Sequence, residues 1–271
     1  MPLPGRAAIL ILAVVSASWA LVACEDKKAL NTEFTAADKA VTAPAPGQLF
    51  NLTTPDARVS LVMPDGIARY ADVQRALFDQ EKRLLVDFTQ TAKEDRKRLI
   101  ENGKSQPQPY ERRETWSITA VTPHLISLRG NWFADTGGAH PNHGSEVKLW
   151  DRDHGQFILP AELFKPDADF ADQDKRLCAA VTKAKQARMG PNPPGRWSCP
   201  EWADAHFVLI PSSQPYRIGG LMFLFDPYVI GAYAEGDYEV LIPLADFQAK
   251  LNPAWASQFV GAPAPTVKPR Q

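Results

Sequence analysis

The first twenty-four residues decide where, and from which residue onward, this chain folds. Arg6 precedes an apolar run that begins at Ala7 and ends Leu21-Val22-Ala23-Cys24. A positive start, a short apolar core and small residues at its end make an export signal; an aliphatic, two small-to-medium residues and a cysteine in that order make a lipobox. Residues 1–23 therefore read as a lipoprotein signal peptide and Cys24 as the acylated first residue of the mature chain. The rival, a spanning anchor with an incidental cysteine, is disfavoured because the run sits near the lower limit for a bilayer helix. The expected product is a water-soluble body facing the periplasm of a bacterial envelope, held to a membrane by its N-terminal lipid. Glu25 after the cysteine leaves inner- versus outer-membrane sorting open.

Removing the leader takes Arg6 with it and leaves 29 basic against 31 acidic residues. The Lys and Arg residues are interleaved with Asp and Glu, as from Lys93 to Arg98, so no basic face suited to nucleic acid is legible. With 45% hydrophobic residues the mature part can bury one substantial core or two smaller ones. Once Cys24 is assigned to lipid, Cys178 and Cys199 remain, and in an oxidising compartment an isolated pair is most simply a disulfide. It would close a loop of about 20 residues and contribute roughly 3 kcal/mol through lost chain entropy. Two free thiols or a metal site are the alternatives, but zinc cysteines usually come in close pairs with further ligands nearby.

Residues 24–49, small and polar and ending near Ala43-Pro44-Ala45-Pro46-Gly47, read as a flexible tether, and the proline-rich residues 261–271 as a disordered tail. Alternation at Val59, Leu61 and Met63 predicts a strand, and Tyr70, Val73, Leu77, Leu84, Phe88 and Leu99 recur at helical spacing over residues 70–100. Two strands joined at Thr122-Pro123 follow, then strands around Val147–Leu149 and Phe157–Leu159. A helix is predicted over Asp167–Arg188 with Phe170, Leu177, Val181 and Ala184 as its buried stripe and basic residues near its C-terminus, which suit the helix dipole. Strands at His206–Ile210, Gly220–Phe225 and Tyr238–Ile242 precede a short helix near Leu244–Leu251. Helices segregated among hairpins predict an α+β protein with antiparallel sheet rather than a parallel βαβ fold, with candidate sub-domains at 50–114 and 115–252.

The most distinctive internal segment is Asp135-Thr136-Gly137-Gly138-Ala139-His140-Pro141-Asn142-His143-Gly144. His140 and His143 could in principle join Asp135, Asp151, Asp153 or His154 around a metal, yet no HExxH and no cysteine cluster accompanies them. A tight connection whose histidines bond loop backbone, or a loop that contacts a ligand, fits the pattern better, so no metal and no cofactor is expected. No G-x-S-x-G, P-loop or G-x-G-x-x-G is present, and no catalytic residue is named. Asp151 with Asp153 and Asp172 with Asp174 read as turn and helix-surface residues. Trp116, Trp132, Trp150, Trp197 and Trp202, with Tyr228 and Tyr233, are many for this length; most should be core, but an exposed pair could stack on a sugar ring.

Trp132 to His140, the Val147–Leu149 strand, the following turn and Leu159–Phe164 resemble the domain of unknown function shared by RsiV-type anti-sigma factors and PdaC-type peptidoglycan deacetylases. Gly220–Tyr228, Ala232–Gly236 and Glu239–Pro243 resemble that family's closing strand, bend and strand. The likeness covers roughly residues 115–250, and residues 50–115 are similar in layout to the preceding sub-domain. It implies an extracytoplasmic α+β module, in some relatives a lysozyme-sensing ectodomain and in others an accessory domain beside a glycan-modifying enzyme. This chain shows neither an anti-sigma segment nor an appended deacetylase domain with its metal-binding histidines, so signalling and deacetylation are not carried over.

The leading expectation is a non-catalytic, lipid-anchored module that binds a wall glycan or a lysozyme-like protein through Trp132, Gly137, Gly138, His140, His143, Tyr228 and Tyr233. Two others stand beside it: an enzyme acting on envelope glycans through the His140 loop, and a structural envelope lipoprotein. An exposed aromatic surface beside the glycine loop would favour the first, His140 converging with carboxylates in a deep pocket the second, and neither feature the third.

Overall fold

Two hairpin strands come first among the described residues, β1 (Leu49–Thr53) against β2 (Ala57–Val62), and the long helix α1 (Ala71–Glu101) follows. The structure, a computed structural model, describes residues 48–104, 107–193 and 197–265; Cys24 and the tether up to Gly47 lie outside them. After α1 the chain returns in β3 (Tyr110–Val121), which pairs with β2 in parallel register, Ala57 opposite Tyr110 and Val62 opposite Thr115. One βαβ crossover is thus built into a sheet expected to be antiparallel throughout. The rest of that sheet is a meander of β4 (Leu125–Asp135), β5 (Asn142–Asp151) and β6 (Gln156–Ile158), in the order β1-β2-β3-β4-β5-β6. After α2 (Ala171–Met189), a second antiparallel sheet forms from β7 (Phe207–Pro211), β8 (Ile218–Phe225) and β9 (Tyr238–Pro243). The short α3 (Pro253–Ala256) ends the helices. The class is α+β.

The alternation of side chains along each strand explains the layering. Val59, Leu61, Trp116, Ile126, Leu128 and Trp150 of the six-stranded sheet bury against Val73, Leu77 and Leu85 of α1. Each such aliphatic side chain contributes about 1.5–3 kcal/mol relative to exposure. The opposite face meets the three-stranded sheet. Ser127 Oγ accepts the Leu209 amide at 3.0 Å, Arg129 pairs with Glu239 at 2.7 Å, and Val147 packs against Val208, Ile210, Met222 and Leu224. Phe207, Leu209, Leu221, Phe223 and Val240 turn the other way, onto Leu177 and Val181 of α2, where Trp202 sits among Phe164, Phe170, Phe223 and Phe247. The order is α1, six-stranded sheet, three-stranded sheet, α2.

A boundary at residues 114/115 falls inside β3, whose residues hydrogen-bond to β2 on one side and β4 on the other. The described residues from 48 to 265 all fall in one compact unit. The first residues of the segment read as a disordered tail are likewise paired. Ser213 donates to Ala262 O and Ala264 to Pro211 O, both at 2.9 Å, and a Cβ on Gly219 would stand 2.5 Å from the Ala262 carbonyl. Cys178, on α2, is bonded to Cys199 in the loop that follows, and the Trp202 amide donates to Asp174 Oδ1 at 2.7 Å, tying the same loop to the same helix. No helix among the described residues is long and apolar enough to cross a membrane.

Candidate functional site

The β4–β5 connection turns at Gly137, whose backbone adopts φ 77°, a left-handed conformation that glycine enters without a steric cost. Asp135 Oδ1 accepts the Gly137 amide at 2.9 Å and closes the turn, while Gly138 has space for a side chain. The loop then presents His140. Its Nδ1 lies 2.9 Å from the Pro141 carbonyl, which can only accept, so Nδ1 carries the hydrogen. Nε2 and the Tyr228 hydroxyl share a hydrogen bond at 3.2 Å. The imidazole also stacks on Tyr233 with centroids 4.2 Å apart, and Tyr233 donates its hydroxyl to the Pro141 carbonyl at 2.9 Å. His143 meets the edge of Tyr233 at 5.6 Å and donates from Nε2 to Asp237 Oδ1 at 3.0 Å.

Tyr228 and Tyr233 come from the β8–β9 connection, so two loops separated by more than eighty residues converge on one aromatic surface. That connection is anchored at both ends. Asp226 Oδ2 accepts the Ser145 amide of β5 at 2.9 Å, and Gly144 makes the approach possible, since a Cβ there would lie 2.5 Å from that oxygen. Further along, α2 reaches in from below. Lys185, fully buried, donates to Ile230 O at 2.8 Å and to Glu235 Oε2 at 2.5 Å, and Arg188 donates to the Glu235 and Asp237 carbonyls. Burial alone would raise the Glu235 carboxyl. Hydrogen bonds from Lys185, Tyr238 and the Ala232 amide outweigh it and hold the group below the usual glutamate value. Burial and the neighbouring Glu235 carboxylate push the Tyr238 hydroxyl up to about 12, so it stays a donor. Between these anchors Tyr228 is held at φ 74° with 62% of its surface exposed, next to the equally open Val229.

His140, His143, Tyr228 and Tyr233 thus form one cluster, with Gly137 shaping the loop. Trp132 is outside it. Its ring lies across Gly144 on the face that carries α1, with the Arg112 guanidinium 5.3 Å from its centroid. Asp151 and Asp153, once candidate partners of these histidines, pair instead with His154 and His124 at 2.6 Å each. Among the described residues no group of three or more His, Cys, Asp or Glu is placed to hold a metal. Beside Val229 opens a groove of about 490 Å³ lined by Pro200, Glu201, Asp204, His206, Asp226 and Ile230. The residues that sequence reasoning missed are the supports: Lys185 and Arg188, read as dipole partners, and Glu235 and Asp237, read as loop. Nothing in their local spacing reports that α2 ends beneath the β8–β9 connection.

With the fold and this surface in place, comparison with known proteins locates the chain. Residues 161–245 match the DUF3298 family, a protein family of unknown function. This DUF3298 segment runs from just before α2 through β9 and includes Tyr228, Tyr233 and their supports Lys185, Arg188 and Glu235. A DUF3298 family protein of Pseudomonas aeruginosa PAO1 is similar in structure, with a TM-score of 0.51 at 15% identity over 80% of this chain and 99% of that one. A DUF3298 family member of Bacteroides fragilis NCTC 9343 is similar with a TM-score of 0.50 at 12% identity, over 80% of this chain and 98% of that one. The shared fold therefore extends well beyond the DUF3298 segment. No curated protein matches the sequence.

Proposed function

We propose that this protein is a non-catalytic recognition module of the bacterial cell envelope, held to a membrane by lipid on Cys24 and facing the periplasm, whose His140–Tyr228–Tyr233 surface binds a wall glycan. The observation that carries the reading is the surface itself. Three neighbouring rings, His140 stacked on Tyr233 and Tyr228 tilted beside them with most of its area in water, sit on loops held by buried ionic and hydrogen-bonded supports. Exposed rings fixed by costly supports suit an apolar sugar face, with phenol and imidazole edges to bond its hydroxyls. The two imidazoles pair with a carbonyl, a phenol and a carboxylate; neither pairs with a serine or thiol, which speaks against a nucleophilic enzyme. The sequence resemblance to RsiV- and PdaC-type proteins supports an envelope setting, and a lysozyme-like protein is the rival ligand.

Sedimentation of the purified Cys24→Ala protein with insoluble peptidoglycan tests the reading, with and without Tyr228→Ala. Retention by peptidoglycan that Tyr228→Ala weakens supports it. Retention only of an added lysozyme-like hydrolase transfers the surface to the rival ligand, and capture of neither leaves a structural lipoprotein.

A further inference from the structure

Between α1 and the six-stranded sheet lies a charge cluster that the proposed function does not use. The residues of α1 that meet the sheet recur every fourth position, Val73, Leu77, Glu81 and Leu85, so a carboxylate sits where the packing pattern calls for an aliphatic group. Glu81 is fully buried. Lys148 of β5 brings its Nζ to 3.2 Å from Glu81 Oε1, within ion-pair range, but neither Glu81 oxygen receives a well-aligned hydrogen bond. Two more carboxylates face the same space, Glu114 from β3 and Glu146 from β5, together with Arg112 of β3, which pairs with Glu114 at 2.6 Å and with Glu146 at 3.6 Å. One Glu114 oxygen is buried without a partner. Also packed at this seam are Leu77, Phe78 and Leu85 of α1, Val59 and Leu61 of β2, and Phe157 of β6, with the exposed Lys82 of α1 lying over the Phe78 ring at 6.0 Å.

The cluster therefore sets three acids against two bases, with Glu81 and Glu114 buried between helix and sheet and Arg112 and Glu146 at the solvated edge, their side chains 23% and 34% exposed. Arg112 and Lys148 can balance two carboxylates; the third is in excess. A proton on Glu81 removes that excess and leaves Glu114 and Glu146 matched by Arg112 and Lys148. We propose that the seam between α1 and the six-stranded sheet is a proton-operated clasp, in which uptake of one proton by the Glu81 carboxyl tightens α1 on the sheet and release of that proton loosens it. Burial is the largest influence on this carboxyl and raises it, Lys148 pulls it back, and Glu114 and Glu146 add to the rise, bringing it to about 7. Because the folded value lies above the unfolded one, the stabilisation is complete below the ordinary glutamate range and fades as pH climbs through about 7. The clasp thus closes in acid and eases in mildly alkaline medium, within a range that an extracytoplasmic protein would encounter.

Hydrogen exchange on the full protein, corrected for intrinsic rates, reads the clasp directly. Protection of α1 amides should fall roughly tenfold between about pH 6 and pH 8 while α2 protection holds, and Glu81→Gln should flatten the α1 response. An α1 response that survives Glu81→Gln unchanged overturns the proposal, as does an equal response in α2. Should Glu81→Gln not fold, carbon-13 NMR titration of the wild-type Glu81 carboxyl decides: a midpoint near neutrality supports the clasp, and one in the ordinary glutamate range overturns it.

Discussion

Replacing Lys185 by methionine should both destabilise the protein and blunt its aromatic surface. The side chain is fully buried, spans from α2 to the β8–β9 connection, and gives hydrogen bonds to Ile230 O at 2.8 Å and Glu235 Oε2 at 2.5 Å while lying 5.2 Å from the Tyr238 ring. Methionine keeps its length but leaves the Glu235 carboxylate, itself only 8% exposed, with the Tyr238 hydroxyl and the Ala232 amide as remaining donors. Breaking one side of a buried ion pair costs about 3–5 kcal/mol, mostly from the charge left behind. For a chain of this size each kcal/mol lowers Tm by roughly 2–4 °C, so a drop on the order of 10 °C is expected. The double variant Lys185→Met with Glu235→Gln removes the stranded charge and should recover a large part of that loss in a urea denaturation cycle. A single variant that loses less than about 1 kcal/mol, or a double variant no better than the single, would refute the reasoning. The low Glu235 value gives a pH signature as well: its stabilisation is present above the ordinary glutamate range and is lost as pH falls through the folded value, the opposite sense to Glu81.

Other outcomes follow from single sites. Reducing the Cys178–Cys199 bond should lower unfolding stability by about 3 kcal/mol, read by denaturation with and without reductant; alkylation of both cysteines in native, unreduced protein would contradict the pairing. Gly219→Ala should cost about 1–3 kcal/mol, because its Cβ meets Ala262 backbone at 2.5 Å and the chain past Gly261 must shift; an unchanged Tm would mean that this segment is not held there. Cys24→Ala should move the protein from the membrane to the soluble fraction, whereas a processed variant that still sediments through carbonate washing would rule out the lipid anchor.

The elements were largely legible because periodicity reports burial. The helix expected over residues 70–100 is Ala71–Glu101, the one over 167–188 is Ala171–Met189, and the three C-terminal strands lie within one or two residues of their expected positions. What periodicity could not report was pairing at a distance. The parallel register of β2 with β3 is specified by contacts across the whole of α1, and β1, whose side chains are only exposed or half-buried, begins at the last residue read as tether and was not named as a strand. Polar residues at core positions misled in the same way. Leu84, counted among the apolar residues at helical spacing in α1, is 47% exposed, while Glu81, which the pattern did not single out, is fully buried with Lys148 of β5 3.2 Å away. At the aromatic surface the histidines and tyrosines were visible as residue types. Their convergence was not, since it depends on Arg188 and Lys185 holding a loop that follows α2 by some forty residues.

Isothermal titration of soluble peptidoglycan fragments into the purified Cys24→Ala protein tests the recognition surface most directly, with Tyr228→Ala and His140→Ala measured alongside. Neither residue packs into the core, so both variants should keep the wild-type Tm, while each should weaken binding roughly tenfold, the loss of about 1.4 kcal/mol of stacking and hydrogen bonding. Fragments that bind wild type and both variants with equal affinity, or that are cleaved by the wild type, would contradict it.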